Sequence, residues 1–582
     1  MLNRAPRGNM KRGRKPVSKK RKAPQTTTAN GALAFASTGN LCLDLFTLGI
    51  GRGVAYDRTE ALVQRAFDVD PITCVKILLY SRHCREAGKG ERTSSLNGWL
   101  ALRSFKPRTY LANLAKLVEV GSFRDLPLLE TLRQTQGRPL LGEEKQTVSA
   151  EMAMLAKQLK SDLDKCLAFN EANKGLGVEE KAAPVEISLA GKWAPSESAS
   201  HRKMARSLAK YMFAQSPTPS KEYRQMLNQL REQLRVVERR MSARQYSRIN
   251  YEAVPSRAMF KYKSSFQQHD QQRFLKFLAK VQIGKKGIKF EGMHPHELVM
   301  FYLKQMPDVD AVVELQWSAA LNELKKNEKV VQGLARTVSV VDVSGSMQNP
   351  DCIPLSASIA MGLIVSQISK GPYRECMITF HESPSLVRYD STKSFFDQVK
   401  AAMAIPWGGS TDLYLVFKLL LSEAAESKVA PQDFPDQIFI FTDGQFDTMT
   451  RHDASLHKKT VWEAIKDLFA KYPAYSRPRV IFWNLNARYE NQPVRFDENN
   501  VALLSGFNPA LMKAIFAADE PPQVVEEAPA VEEKQPKAAK KVKEAAPVKE
   551  IDPVQVMMKA IEQYQVIIDP DEVPMGFSKK PA

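Results

Sequence analysis

The spacing of apolar residues divides the chain into two parts. Between residues 30 and 330, apolar positions recur every three or four residues in a polar background, as at Met152, Leu155 and Leu159. This period predicts amphipathic helices, and similar patterns occur at 62–67, 73–80, 110–119, 223–239 and 295–304. Because Pro, Gly and Ser separate these short segments, we expect an α-helical, solenoid-like repeat domain in which each helix pair covers the next.

The second part, residues 331–518, has a different pattern. Two runs rich in Val, Ile and Phe, Thr337–Val341 and Gln437–Phe441, are typical of strands that are buried on both faces of a parallel sheet. Further strands are predicted at 374–381, 479–485 and 501–504, and helices at 354–369, 413–421 and 509–516. This alternation of strand and helix predicts a doubly wound α/β domain.

Oxygen-bearing side chains follow both runs. Asp342, Ser344 and Ser346 come at alternate positions after the first run, Asp443 follows the second, and Thr411 lies in a glycine-rich loop between them. Ligands of α/β sheets bind at the carboxyl ends of the strands, and oxygen donors with little negative charge suit Mg²⁺ or Mn²⁺. The alternative is that these Ser and Asp residues only cap helices.

This ordered set resembles the metal-ion-dependent adhesion site (MIDAS) of von Willebrand factor A domains. The resemblance implies that Ser344, Ser346 and Thr411 contact the metal directly, and that Asp342 and Asp443 often act through water. A metal held mainly by neutral hydroxyls keeps a net positive charge, so we expect it to accept an acidic side chain from a partner protein. No general base or nucleophile stands beside the motif in the sequence, so we predict that the protein is not an enzyme.

The helical part carries a second resemblance, based on segments that together extend over most of it: 28–32, 37–40, 81–92, 192–196, 251–259, 268–270 and 292–297. With the metal motif, they resemble an uncharacterised family of plants and large viruses in which a helical domain precedes a von Willebrand A domain. That plan is similar to the Ro (TROVE) ribonucleoproteins, whose ring of helical repeats binds small noncoding and misfolded RNA. The resemblance therefore implies RNA binding by the helical part.

Basic residues supply candidates for such RNA binding. We expect a tight turn at Gly88-Lys-Gly90 to present one cluster to phosphates, formed by Arg82, Arg85, Lys89 and Arg92. Further candidates lie near aromatic residues, which suits single-stranded RNA: Arg202, Lys203, Arg239, Arg240 and Arg244. The alternative is an exposed, solvated charged surface that binds nothing.

Net charge and composition limit the possible partners and the location of the protein. The formal net charge is +20 with a pI near 9.5, which favours polyanionic partners, and residues 1–29 form a basic tail that we expect to be disordered. Its segment 11–22 is typical of a nuclear localisation signal, a nucleic-acid-binding arm or a solubilising extension. Six scattered cysteines predict free thiols in a reducing compartment. No apolar run is long enough to span a membrane and no secretion signal is present, so we expect an intracellular protein, cytoplasmic or nuclear.

The C-terminal region adds two elements. Residues 519–550 are a low-complexity linker of Ala, Pro, Glu, Lys and Val. Within 551–582, one face of a short predicted helix carries Val554, Met558, Ile561 and Tyr564. Such a helix is too short to be stable alone, so we expect it to dock onto the rest of the chain or to bind a partner.

The sequence thus predicts a Ro-like RNA-binding protein. Its helical domain, residues 30–330, would hold RNA, and its A-type domain, residues 331–518, would bind Mg²⁺ and recruit an acidic protein partner. The alternative is a protein-interaction scaffold that works through the metal site and has no specific RNA role.

Overall fold

The structure, a computed structural model, describes residues 25–49, 51, 54–85, 88–140, 142–174, 185–197, 201–305, 308–349, 351–380, 383–404, 411–447, 459–518, 551–575 and 577. Four sequence predictions fall outside these ranges, wholly or for the most part. They concern the disordered tail at 1–29, of which residues 25–29 are described, the localisation signal at 11–22, the linker at 519–550 and the glycine-rich segment 408–410.

The first part of the chain is mostly helical, as the apolar spacing predicts. It opens with an antiparallel hairpin of β1 (Gln25–Thr27) and β2 (Leu33–Phe35). The helices that follow are α1 (Leu41–Asp44), α2 (Tyr56–Val69), α3 (Pro71–Arg82), α4 (Thr93–Phe105), α5 (Pro107–Val120), α6 (Asp125–Thr135), α7 (Glu144–Ala172), α8 (Ala190–Trp193), α9 (Arg202–Met212), α10 (Pro219–Gln233), α11 (Val237–Ser242), α12 (Ser256–His269), α13 (Gln271–Gln282), α14 (Pro295–Gln305), α15 (Ala311–Lys325) and α16 (Glu328–Gly333).

The helices α2, α3, α5, α6 and α7 surround α4 rather than stacking as repeats. Every residue of α4 from Ser94 to Arg103 is buried, and α4 contacts α2, α3, α5, α6 and α7. In a solenoid each repeat contacts only its neighbours. The predicted solenoid-like packing is therefore wrong in this region, because one central helix supplies the common contact surface.

The second part is an α/β unit built on a six-stranded sheet in the order β5-β4-β3-β6-β7-β8, in which β5 is antiparallel and the other pairs are parallel. Most of its predicted strands and helices are confirmed, whereas the short edge strand β5 and the helices α18 and α20 were not predicted. Its elements are β3 (Thr337–Asp342), α17 (Ile353–Ile368), β4 (Cys376–Phe380), β5 (Leu386–Arg388), α18 (Phe395–Met403), α19 (Leu413–Glu426), β6 (Gln437–Thr442), α20 (Val461–Ala470), β7 (Arg479–Asn484), β8 (Val501–Ser505) and α21 (Met512–Ala518).

The two parts share one apolar core. Helix α14 of the helical part packs along α17, which lies against β3, β4 and β6. The edge strand β8 is covered by a π-helical turn at Leu45–Gly49 and by a C-terminal helix, α22 (Pro553–Ile561). One cluster of buried residues runs from Ala32 to Tyr564 as a result. A second, smaller cluster lies around Tyr251 in α12, α13 and α15.

The C-terminal segment docks onto the helical part, which was one of the two predicted outcomes. Tyr564 bonds to the His83 ring over 2.8 Å. The Glu572 carboxylate accepts from the backbone N–H of Arg108 at 3.0 Å and of Thr109 at 2.7 Å, at the start of α5. The predicted apolar face is shifted. Met558 is 45% exposed, whereas the helix buries Val556, Met557, Ala560 and Ile561.

Two predictions from composition can be compared with the structure. All six cysteines are free thiols. In the part of the chain that the structure describes, no helix combines the length and apolar character needed to cross a bilayer.

Candidate metal centre

The predicted metal ligands lie at the point where the sheet reverses its direction of winding. From the central strand β3 the chain moves outward through β4 and β5, and it then returns to the other side of β3 as β6. Such a reversal leaves a crevice at the carboxyl ends of the two central strands, where α/β proteins bind ligands. Asp342 is the last residue of β3, and Asp443 directly follows β6.

Close packing of α17 against the sheet supports this crevice. A Cβ added at Gly362 would lie 2.5 Å from a methyl group of Val341, so only glycine lets α17 approach β3 this closely. The Ser358 hydroxyl donates to the Phe441 carbonyl at 3.1 Å and joins α17 to the end of β6. Gly444, with φ of +78°, turns the chain immediately after Asp443.

Four of the five predicted ligands form one contact cluster. The Asp342 carboxylate accepts from the Ser344 backbone N–H at 2.9 Å and from the Thr442 hydroxyl at 2.6 Å. The hydroxyl oxygens of Ser344 and Ser346 are 3.0 Å apart. Asp443 lies close enough to Ser346 and to Asp342 to interact with each electrostatically. These side chains therefore converge, as the sequence spacing predicts.

Thr411 adjoins this cluster through the loop that follows β6. Its hydroxyl donates to the Gln445 carbonyl at 2.5 Å, two residues after Asp443. Its backbone N–H donates to the Asp447 carboxylate, also at 2.5 Å. The hydroxyl hydrogen is used by Gln445, and the Asn30 amide donates to the same oxygen at 3.3 Å, so one lone pair of Thr411 remains suited to a cation.

The electrostatics of the cluster are those of an uncompensated buried anion pair. Burial raises the pKa of Asp342 to about 7, and the charge of Asp443 adds to the effect, against hydrogen bonds from Ser344 and Thr442. Burial likewise raises the pKa of Asp443. The Asp443 Oδ2 atom is buried and has no hydrogen-bond partner in the described part of the chain. Two carboxylates held this way are stabilised by a nearby cation.

The donor set fits a hard divalent cation better than a soft one. It offers two carboxylates and three hydroxyls, which are the oxygen ligands that Mg²⁺ and Mn²⁺ use. Among the described residues, no three His, Cys, Asp or Glu side chains are grouped so that they could hold a metal ion. A cation at this position would therefore be bound by hydroxyl groups as much as by charge.

The sequence analysis missed a set of amides around the cluster. The Asn30 amide donates to the Thr411 hydroxyl at 3.3 Å and to the Gln445 carbonyl at 2.8 Å. The Gln445 amide donates to Asn491 at 2.7 Å, and Asn491 donates to the Gly444 carbonyl at 2.8 Å. Asn30 lies in the 28–32 segment that carries the family resemblance, and this resemblance is the sequence feature that could have indicated its place at the site.

The N-terminal hairpin is bound to the loops of this centre. Thr28 donates to the Phe446 carbonyl at 2.5 Å, and the Gln445 side chain accepts from the Ala29 backbone N–H at 2.7 Å. Phe35 and Gln492 exchange two backbone hydrogen bonds of 3.0 and 2.8 Å. The start of the helical part thus lies at the rim of the candidate metal centre.

The predicted basic turn at residues 82–92 is not an exposed cluster. Arg82 is 1% exposed and forms a bidentate pair with the buried Asp125, with N–O distances of 2.8 and 3.0 Å. Lys89 is also 1% exposed, and its ammonium group donates to the Phe46 carbonyl and to the Ser505 hydroxyl. The prediction that these two residues face phosphates is wrong. Their charges are used inside the fold, while Arg92 is partly buried and Arg85 is exposed.

The remaining basic candidates differ in their partners. Arg239 and Arg240 both pair with Glu232, each at 2.7 Å. Arg202, Lys203 and Arg244 are exposed, and none of them forms an ion pair within the described ranges. The structure does not gather these residues around the turn at 82–92.

Comparison with known proteins identifies the family. A model of the domain of unknown function DUF2828 matches residues 28–151 and 147–330, and a model of the domain of unknown function DUF7788 matches residues 336–561. The chain is 31% identical over 511 residues to uncharacterized protein L728 of Acanthamoeba polyphaga mimivirus, and the match includes 85% of each protein. The chain belongs to this DUF2828 family, so the predicted relationship to a family found in large viruses is confirmed.

Proposed function

We propose that this protein binds a divalent cation at the β3–β6 crevice and uses it to bind an acidic side chain of a partner protein. In this proposal the α/β part is a von Willebrand A-type domain, and Mg²⁺ is the physiological cation. The observation that carries the proposal is the buried pair of Asp342 and Asp443. The Asp443 Oδ2 atom has no hydrogen-bond partner in the described part of the chain, and the hydroxyls of Ser344 and Ser346 belong to the same cluster. The strand order, with the two carboxylates on the two central strands, is consistent with it.

The predicted partner chemistry follows from charge. Two ionised carboxylates carry two negative charges and so balance the charge of a divalent cation without exceeding it. Hydroxyl ligands add no further negative charge. If each carboxylate acts partly through water, the cation stays electrophilic on its open side. A Glu or Asp of a partner then supplies the strongest available ligand.

Binding, rather than catalysis, is the activity that we propose for this centre. The described polar side chains that flank the cluster include the amides of Asn30, Gln445 and Asn491, and the Asp447 carboxylate accepts from the Thr411 backbone N–H. An amide nitrogen is not basic near neutral pH, so the three amides cannot act as general bases. These groups can orient ligands and loops, which is what a binding centre needs.

The test measures metal-dependent stability in the full chain. Addition of Mg²⁺ to metal-free protein should raise the melting temperature, since a ligand that binds only the folded state stabilises it by about 2.7 kcal/mol at one hundred times its Kd. Asp443→Asn should abolish the rise. Asp436→Asn is the matched control, because Asp436 precedes the same strand β6 at the opposite edge and is exposed. An equal Mg²⁺ effect in all three proteins contradicts the metal site.

A peptide display library tests the partner chemistry. Peptides retained in Mg²⁺ and released by EDTA should share an Asp or Glu, and Asp443→Asn should retain none of them. Peptides without a carboxylate, or retention by the variant, would contradict the acidic-ligand proposal while leaving metal binding intact.

RNA binding by the helical part is the second proposed function, in a Ro-like plan. It is supported by the exposed side chains of Arg85, Lys203 and Arg244, which form no ion pair with any residue that the structure describes. Arg82 and Lys89 do not support it, because they are buried. Ultraviolet crosslinking of the full chain to cellular RNA, with mapping of the crosslinked peptides, tests it. Crosslinks within residues 81–305 are expected. Crosslinks confined to the basic tail would contradict RNA binding by the helical part.

A further inference from the structure

A basic groove opens in the helical part, remote in sequence from the turn at 82–92. It has a volume of about 520 Å³ and lies between the segment Ser247–Glu252 and helix α13. Its lining carries five cations and one carboxylate: Arg248, Arg273, Lys276, Lys280, Lys286 and Glu252. Lys286 belongs to the basic stretch 285–289, which the sequence indicates as a possible part of an RNA-binding surface, whereas the other five residues were not among the predicted candidates.

The walls of the groove are fixed by specific contacts. Arg273 donates to the carbonyl groups of Tyr246 and Ile249 at 3.0 and 2.8 Å, which holds the 247–252 segment against α13. The Tyr251 ring is 4% exposed and packs 5.1 Å from Phe274 and 5.7 Å from Phe277. The groove is therefore a formed feature of the second apolar cluster rather than a gap between loose side chains.

The carboxylates near the groove are already paired with cations. Asp270 pairs with Arg273 at 2.7 Å, and Glu252 pairs with Lys286. The other three cations, Arg248, Lys276 and Lys280, are exposed and form no ion pair with any described residue. The groove thus keeps three positive charges that nothing in the described fold neutralises.

Two of these charges lie in line with a third, paired cation. Lys276 and Lys280 follow Arg273, which is paired with Asp270, at spacings of three and four residues, so the three side chains lie on one face of α13 over about 10 Å. Like charges at this spacing destabilise a helix, and a polyanion laid along the same face would remove that repulsion.

We propose that this groove binds the phosphodiester backbone of RNA, an inference that rests on the RNA-binding role proposed for the helical part. A backbone of regularly spaced phosphates matches a linear row of cations better than an acidic peptide with scattered carboxylates. The exposed hydroxyl of Ser247 and amide of Asn250 at the rim can bond to phosphate or ribose oxygens. Because the Tyr251 and Phe277 rings are buried, no base can stack on them, and the contact is independent of base sequence.

Salt dependence of RNA binding by the full chain tests the groove. The variant Arg248→Gln/Lys276→Gln/Lys280→Gln should bind a labelled RNA hairpin with a log K versus log salt slope that is shallower by about 2 to 3. A hairpin of scrambled sequence should show the same change. The matched control is Lys157→Gln/Lys160→Gln/Lys165→Gln, which removes three exposed cations from α7 of the same part and should leave the slope unchanged.

The outcomes separate this inference from the function on which it rests. If the groove variant and the control have the wild-type slope while RNA still crosslinks to residues 81–305, the groove assignment is overturned and RNA binding stands. If the wild-type chain crosslinks only through its tail, both fail. Competition by polyglutamate as effective as that by RNA of equal charge would overturn the phosphate assignment.

A conservative variant guards against misfolding. Lys276→Arg/Lys280→Arg keeps both charges and should retain the wild-type slope and affinity. Loss of binding in this variant, with an unchanged melting temperature, would also contradict a backbone contact made through charge.

Discussion

The two parts of the molecule treat buried charge in opposite ways. In the helical part, Arg82 is paired with Asp125, and Arg103 is paired with Glu144 and Glu151 at 3.2 and 3.0 Å. In the α/β part, Asp342 and Asp443 are equally buried and lie together, but neither forms an ion pair within the described residues.

This difference separates charges that stabilise the fold from charges that we propose to bind a ligand. Removing an ion from water without a partner costs several kcal/mol. In the helical part this cost is offset within the fold, because each buried arginine is paired with a carboxylate. In the proposed function, the aspartate pair of the α/β part is completed by a cation from outside. Burial alone therefore does not identify a candidate site, whereas two like charges buried together without a counter-charge in the described fold do.

The largest expected effect comes from breaking a compensated pair. Arg82→Met leaves the Asp125 carboxylate buried with only the Ser122 N–H as a strong donor. We expect the free energy of unfolding to fall by about 3–5 kcal/mol, measured by urea denaturation. Arg82→Met/Asp125→Leu removes both charges and should recover much of the loss. A single variant as stable as the wild type would show that the pair contributes little.

A smaller effect of opposite sign is expected in the α/β part. In EDTA, at a pH above the Asp342 pKa of about 7, Asp342→Asn should raise the free energy of unfolding by about 1–3 kcal/mol, because it removes one of two repelling buried charges. The replacement amide can still accept from Ser344 and can donate to the Thr442 hydroxyl. Asp436→Asn, which removes one partner of the surface ion pair with Arg336, should change stability by less than about 1 kcal/mol. A destabilised Asp342→Asn would indicate a structural role for this carboxylate.

The last effect appears only as a pH dependence and concerns Lys89, the buried cation without a carboxylate partner at its ammonium group. Burial lowers its pKa from 10.5 to about 7, so between these values the unfolded chain binds more protons than the folded one. Stability should then rise with pH across that window and be lost as pH falls towards 7. Lys89→Met should flatten this rise in a pH series of urea denaturations, whereas Lys157→Met, at an exposed site, should keep it. Equal slopes in both variants would contradict the buried, shifted lysine.

The sequence predicts the α/β part better than the helical part for a physical reason. Strands buried on both faces are continuous apolar runs, and the ends of β3 and β6 are marked by Asp342 and Asp443. Chain topology then brings those ends together without further information. The contacts of Asn30 with Thr411 and Gln445 could not be predicted, because they join residues about 400 positions apart.

The wrong or missing predictions for the helical part concern residues whose burial leaves no periodic pattern in the sequence. Helix α4 is surrounded by five helices, so it lacks the polar face that makes helices recognisable, and it was not predicted. Arg82 and Lys89 were expected on the surface because basic residues usually lie there. Their burial depends on Asp125, Phe46 and Ser505, which are distant in sequence.

The docked C-terminal segment has a consequence for synthesis on the ribosome. The Glu572 carboxylate accepts from the first N–H groups of α5, and α22 packs on α3. Both contacts can form only after residues 551–575 have left the exit tunnel. Until then, a nascent chain that already contains both parts exposes apolar surface on α3 and β8. Premature termination before residue 551 would release a product that chaperones and proteases can distinguish from the finished fold.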